Sequence, residues 1–175
     1  MVARTQTRPE EWANAASHAL GVLLAEAAWP WLAELAAQRA GRIGVLAMAV
    51  FVSMMALQYG ISAVYHALPQ GRAKLWARAA DHAAIYLFIA GSATPFALGL
   101  LGGTAGAATC ALIWTLALAA SALALRFVPY SDNHGHFDLP WTLLMVTVII
   151  AAVAVSAYLV YVLEIIKLRR TDSGP

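Results

Sequence analysis

The sequence predicts an all-α protein, a polytopic transmembrane helix bundle of about five helices. Three observations predict it. Apolar residues make up 62% of the 175-residue chain and charged residues only 11%, where a soluble domain carries roughly 25% charge. Five apolar stretches each approach the roughly 20 residues needed to cross a bilayer core of about 30 Å. The connections between them are short, so nothing remains to build a soluble domain.

The first expected span runs from Asn14 to Leu35, with Trp29 and Trp31 towards its far end. Glu10 and Glu11 precede it and His18 and Glu26 lie within it, whereas a cleaved signal peptide wants a basic start and a clean apolar core. It is therefore read as a retained helix. The others run from Ile43 to His66, His82 to Leu101, Ala105 to Val128 and Trp141 to Leu163. The expected connections are Ala36 to Arg42, Ala67 to Asp81, a tight turn at Gly102 and Gly103, and Pro129 to Pro140.

Basic residues set orientation. With the N-terminus inside, Arg4, Arg8, Arg72, Lys74, Arg78 and Arg126 lie inside, and Arg39, Arg42, Lys167, Arg169 and Arg170 outside. This count is nearly balanced. The connection holding Arg72, Lys74 and Arg78 is the most basic, and it favours a cytoplasmic N-terminus in the plasma (inner) membrane. On this reading residues 1–13 are a cytoplasmic segment, 14–166 the transmembrane bundle and 167–175 a polar tail.

The net charge of +2 is spread over connections and termini. No basic patch marks a nucleic-acid surface, so none is expected as a partner. The single cysteine, Cys110, permits no disulfide within the chain and reads as a small apolar residue.

Polar residues within spans are costly in lipid and are functional candidates by default. Here they form four groups. Glu11, Asn14 and His18 are spaced three and four apart, so they share one helix face. Ser62 and His66, four apart, form a second stripe; Asp81 and His82 open the third span; His134, His136 and Asp138 precede the fifth. Alternating helix directions bring all four groups to the same membrane face, whichever way up the protein sits. Converging His and Asp suggest a metal site, zinc being the metal that takes these ligands. There Asp81 would orient or deprotonate a water, and Ser62 would hold that water or a substrate oxygen.

Each residue also has a plainer reading. His66 at headgroup level suits a polar tip, and Asp81 suits a helix N-terminus. His82 points away from Asp81 and reads as structural. Glu11 and Asn14 serve equally as capping groups, and His134 and His136 as solvated loop residues.

Three stretches resemble the ordered motifs of the bacterial hemolysin III family. They are Glu10 to Gly21 (EEWANAASHALG), Ser62 to Pro69 (SAVYHALP) and Asp81 to Pro95 (DHAAIYLFIAGSATP). Ile113 to Leu118 also fits, and the resemblance covers roughly Glu10 to Arg126. That family belongs to the progestin and adiponectin receptor superfamily, which is similar to alkaline ceramidases in carrying a zinc site near the cytoplasmic face. The resemblance implies zinc as cofactor, His66 as a ligand, and Asp81 and Ser62 beside the zinc-bound water. It places Glu11, Asn14 and His18 in the first-helix motif without assigning them a role.

The chain departs from the family pattern. The family has seven helices and a His-x-x-x-His pair opening the last, whereas here five are expected and the approach to the last reads Tyr130-Ser131-Asp132-Asn133-His134-Gly135-His136. His134 and His136, two apart, share a metal only in a loop, which Gly135 eases and which Pro140 ends.

Three functions are therefore weighed. One is a zinc-dependent hydrolase of lipid-like amides, with His66, His134 and His136 as metal ligands. The second is a non-catalytic membrane sensor or partner protein that has lost the metal. The weakest is a pore, since only Glu26, Gln58 and small hydroxyls lie at depth.

Overall fold

The computed structural model describes residues 6–127 together with Thr147 and Tyr158. No strand occurs among them. Helix α1 covers Arg8–Ala67. Its start is fixed by Thr7 and Glu10, the Glu10 carboxylate accepting from the Thr7 backbone N–H at 2.7 Å and from its hydroxyl at 2.9 Å. This reciprocal cap satisfies donors that the first turn leaves orphaned. Capping therefore falls to Thr7 and Glu10, not to Glu11 or Asn14.

One residue breaks α1. Gly41 sits at φ 58° and ψ −145°, a conformation essentially reserved for glycine. The chain reverses there. Four pairings prove the reversal: Ala36 lies against Gly44, Gly21 against the Tyr59 ring, His18 beside Tyr59, and Glu11 against His66. The sequence sums of these pairs stay near-constant, as two antiparallel arms require. The arms, residues 8–40 and 42–67, are about 50 and 39 Å long, each more than the hydrocarbon core. The expected connection Ala36 to Arg42 thus contracts to a single residue.

Helix α2, Arg72–Pro95, continues through one π-helical stretch, Phe96–Leu101, after which Gly102 and Gly103 turn the chain with φ of 64° and 56°. Helix α3 is Gly103–Phe127. The glycine turn and α3 match expectation closely. The start of α2 does not: Arg72, Lys74 and Arg78, expected in a loop, occupy its first turns, and the real connection is only residues 68–71. Asp81 therefore lies not at the helix start but nine residues in, about 14 Å along the axis.

Among the described residues three helices are long and apolar enough to cross a membrane, Arg8–Ala67, Arg72–Leu101 and Gly103–Arg126. The fold at Gly41 makes the first a hairpin, so they correspond to the first four expected spans. The fifth, Trp141 to Leu163, lies outside the described residues except for Thr147 and Tyr158, which are helical.

Packing follows the rule for helices in lipid, where small residues let backbones approach. The α2–α3 core is Ala79, Ala83, Tyr86, Ala90, Ala117, Ala120 and Ala124. The second arm of α1 meets α2 where Gly91 faces Met54 and Phe51 stacks near Phe88 at 6.2 Å. Two buried hydroxyl contacts tie α2 to α3: the Trp114 indole donates to Thr94 Oγ1 at 3.0 Å, and Ser121 donates to the Ala83 carbonyl at 2.8 Å. Large apolar side chains point outwards instead, among them Leu23, Leu24, Trp31, Leu46 and Leu112. That inversion is what a lipid solvent allows.

Candidate functional site

Both ends of the α1 hairpin and the start of α2 meet at one face. Glu11, in the first turn of α1, is buried there beside Lys74, at 8% and 6% exposure. A carboxylate and an ammonium survive such burial only when paired. Glu11 Oε1 accepts from Lys74 Nζ at 2.7 Å, and Lys74 also donates to the Leu68 carbonyl at 3.2 Å. Glu11 Oε2 lies 2.8 Å from His66 Nδ1. The carboxylate thus bridges an ammonium and an imidazole.

Aromatic contacts enclose this bridge. His18 stacks on His66 with ring centroids 5.6 Å apart and planes 5° off parallel, and Tyr59 lies 5.9 Å beyond His18. Tyr65 flanks the other side of His66 at 4.7 Å, and the Lys74 ammonium sits 4.9 Å over the Tyr65 ring. Tyr59, Ser62 and His66, spaced three and four apart, present one face of the second arm to the first.

Glu11, His18 and His66 therefore converge as their spacing implied. Ser62 is buried on the same face, one turn deeper. Asn14 is turned aside, its amide reaching Gln6 Oε1 at 3.4 Å. Asp81 accepts from the Gln58 amide at 3.2 Å, with Gln58 two turns below His66. The second Asp81 oxygen carries no hydrogen bond from a described residue. His82 accepts no role here: its Nδ1 bonds the Arg78 carbonyl of its own helix at 2.8 Å. His134 and His136 lie outside the described residues.

Lys74 and Gln58 are the members sequence reasoning missed or left unassigned. Lys74 reads as one of three loop cations until α2 is known to begin at Arg72. Its signal was available in register, since antiparallel packing sets residue 74 level with His66 once Gln58 is set level with Asp81.

Does His66 suit a metal? A metal-binding histidine usually gives its other ring nitrogen to a carboxylate, which fixes tautomer and orientation. Glu11 occupies Nδ1 in that manner, and Nε2 is the nitrogen left to coordinate. Among the described residues no group of three His, Cys, Asp or Glu is close enough to hold an ion. A metal on His66 Nε2 would need further ligands from beyond this group.

The fold and this face define a class: polytopic membrane bundles with a carboxylate-clamped histidine at one end. The chain belongs to the family described as "Haemolysin-III related", whose profile matches residues 6–169. It is similar to the "Hemolysin-3 homolog" of Bacillus subtilis (strain 168), 37% identical over 122 residues, covering 70% of this chain and 57% of that protein. It is likewise similar to "Hemolysin-3" of Bacillus cereus, 36% identical over 128 residues, covering 73% of this chain and 58% of the relative. The chain thus spans less than two thirds of the length of these relatives. No solved structure matches it significantly.

Proposed function

We propose that the chain is a zinc-dependent membrane hydrolase of lipid-like amides, working at the face where Glu11 and His66 meet. The observation that carries this reading is the 2.8 Å contact between Glu11 Oε2 and His66 Nδ1. With the proton on Nδ1 facing Glu11, Nε2 would carry its lone pair away from the carboxylate, the arrangement found behind metal-bound histidines. His66 would hold the metal together with His134 and His136. When bound, zinc supplies a water that is nucleophilic near neutral pH.

The remaining work falls to side chains of the bundle. On this reading Asp81 takes the water proton, which requires Asp81, held by Gln58 two turns below His66, to be brought up to the level of the metal. In such a hydrolysis the carbon–nitrogen bond would be exchanged for a carbon–oxygen bond, and Asp81 would return the proton it takes from the water to the departing amine. Ser62, buried on the same face, positions the water or the carbonyl oxygen. The bilayer itself delivers a lipid substrate to this depth.

A second reading has its own observation. Lys74 already balances the Glu11 charge, so the Lys74–Glu11–His66 contacts also serve as a lock joining both ends of α1 to α2. On that reading the chain is a non-catalytic membrane sensor or partner protein. Incubating the purified chain with an N-acyl sphingoid lipid and quantifying released fatty acid separates the two. Zinc-dependent release that disappears in Asp81→Asn supports hydrolysis. No release from zinc-loaded protein leaves the lock reading.

A further inference from the structure

We propose that the cleft between the two ends of α1 and the start of α2 binds the phosphodiester headgroup of an anionic bilayer phospholipid. The cleft has a volume of about 580 Å³ and opens to the surface. Its polar lining is Gln6, Arg8, Glu11, Gln70 and Lys74. Two cations and one carboxylate leave a formal charge of +1, which complements a phosphodiester. Glu11 and the Leu68 carbonyl hold the Lys74 ammonium, so it lends charge from the wall. Arg8 is the exposed cation, and a guanidinium matches two phosphate oxygens at once. The amides of Gln6 and Gln70 add neutral donors on either side.

Depth selects a lipid over a soluble anion. Trp12 lies one turn beyond Arg8 on α1, and Trp76 one turn beyond Arg72 on α2; they are 57% and 53% exposed. Exposed tryptophans mark the headgroup level of a bilayer. The cleft therefore opens where phospholipid phosphates are already concentrated. A lipid seated there lays its acyl chains along the exposed Leu20 and Leu23. Basic pockets between helix ends at this level are typical anionic-lipid sites. This inference stands whether or not the chain is a hydrolase, because it uses neither His66 Nε2 nor Asp81.

The test is native mass spectrometry of the full chain, delipidated in detergent and incubated with equimolar dioleoyl phosphatidylglycerol and dioleoyl phosphatidylcholine. The wild type should retain phosphatidylglycerol in about fivefold preference, the effect of one basic residue at an anionic surface. Arg8→Gln should bring the ratio near one, and Gln70→Ala should lower it in part. Arg39→Gln, at the far end of the first arm, should leave it unchanged, and circular dichroism checks helicity throughout. No preference in the wild type, or an unchanged ratio in Arg8→Gln, overturns the proposal. Displacement of phosphatidylglycerol by millimolar inorganic phosphate also overturns it, since the cleft would then be a site for free anions.

Discussion

Glu11 and His66 lie 55 residues apart in sequence, yet their side chains meet at 2.8 Å. The contact exists because Gly41 folds α1 on itself and brings its two ends to one level. Lys74, entering from α2, completes a buried charge set that joins all three chain segments at that face.

Breaking this set from one side should be worse than removing it whole. Glu11→Leu leaves the Lys74 ammonium buried without its counter-charge and should destabilise by about 3 kcal/mol. Lys74→Met strands the Glu11 carboxylate and should have a similar effect. The double variant should lose much less than the sum, with a coupling of about 2 kcal/mol. Reversible unfolding in mixed micelles measures all three. Additive losses would show that the pair contributes little to the fold.

Close helix contacts give a second expectation. A Cβ at Gly91 would lie 2.7 Å from Met54 Cβ, and one at Gly106 would collide with the Ala97 carbonyl oxygen. Neither neighbour is a flexible tip, so Gly91→Ala and Gly106→Ala should each destabilise by about 1–3 kcal/mol. A Cβ at Gly60 meets nothing within 4 Å. Gly60→Ala should be neutral or stabilising by up to about 1 kcal/mol, the helix-propensity gain. The same unfolding assay ranks the three.

The hairpin corner makes a sharper case. Gly41 has open space around it, but its φ of 58° with ψ of −145° excludes a β-carbon. Gly41→Ala should therefore destabilise by about 1–3 kcal/mol through backbone strain alone. If instead it behaves like Gly60→Ala, the corner is not held at that conformation.

Trp114 tests the inter-helix hydrogen bonds. Trp114→Phe keeps the ring but loses the bond to Thr94 Oγ1. Such bonds within membranes contribute about 0.6 kcal/mol, so the unfolding midpoint should shift only slightly, less than for Gly106→Ala.

How much of this was legible in the sequence depends on the residue. Glu11, His18, Ser62 and His66 were, because spacings of three and four define a face and alternating helices define a level. Lys74 and the depth of Asp81 were not. Apolar windows mark where a helix enters lipid, but α2 begins nearly three turns earlier in an Ala-rich run, Ala73, Ala77, Ala79 and Ala80, whose helix propensity carries Arg72, Lys74 and Arg78 into the helix. Gly41 was likewise hidden: a reversal ordinarily takes several residues, and one glycine sufficed. His134 and His136 lie outside the described residues.

The most direct test of the central claim is zinc per chain. The full chain, purified in detergent without chelator or histidine tag, would be analysed by elemental mass spectrometry beside His66→Ala and Glu11→Gln. If Glu11 clamps a metal-binding His66, the wild type carries about one zinc. His66→Ala then carries none, and Glu11→Gln binds zinc about 10–100-fold more weakly. A wild type without zinc, or zinc unchanged in His66→Ala, would contradict the account.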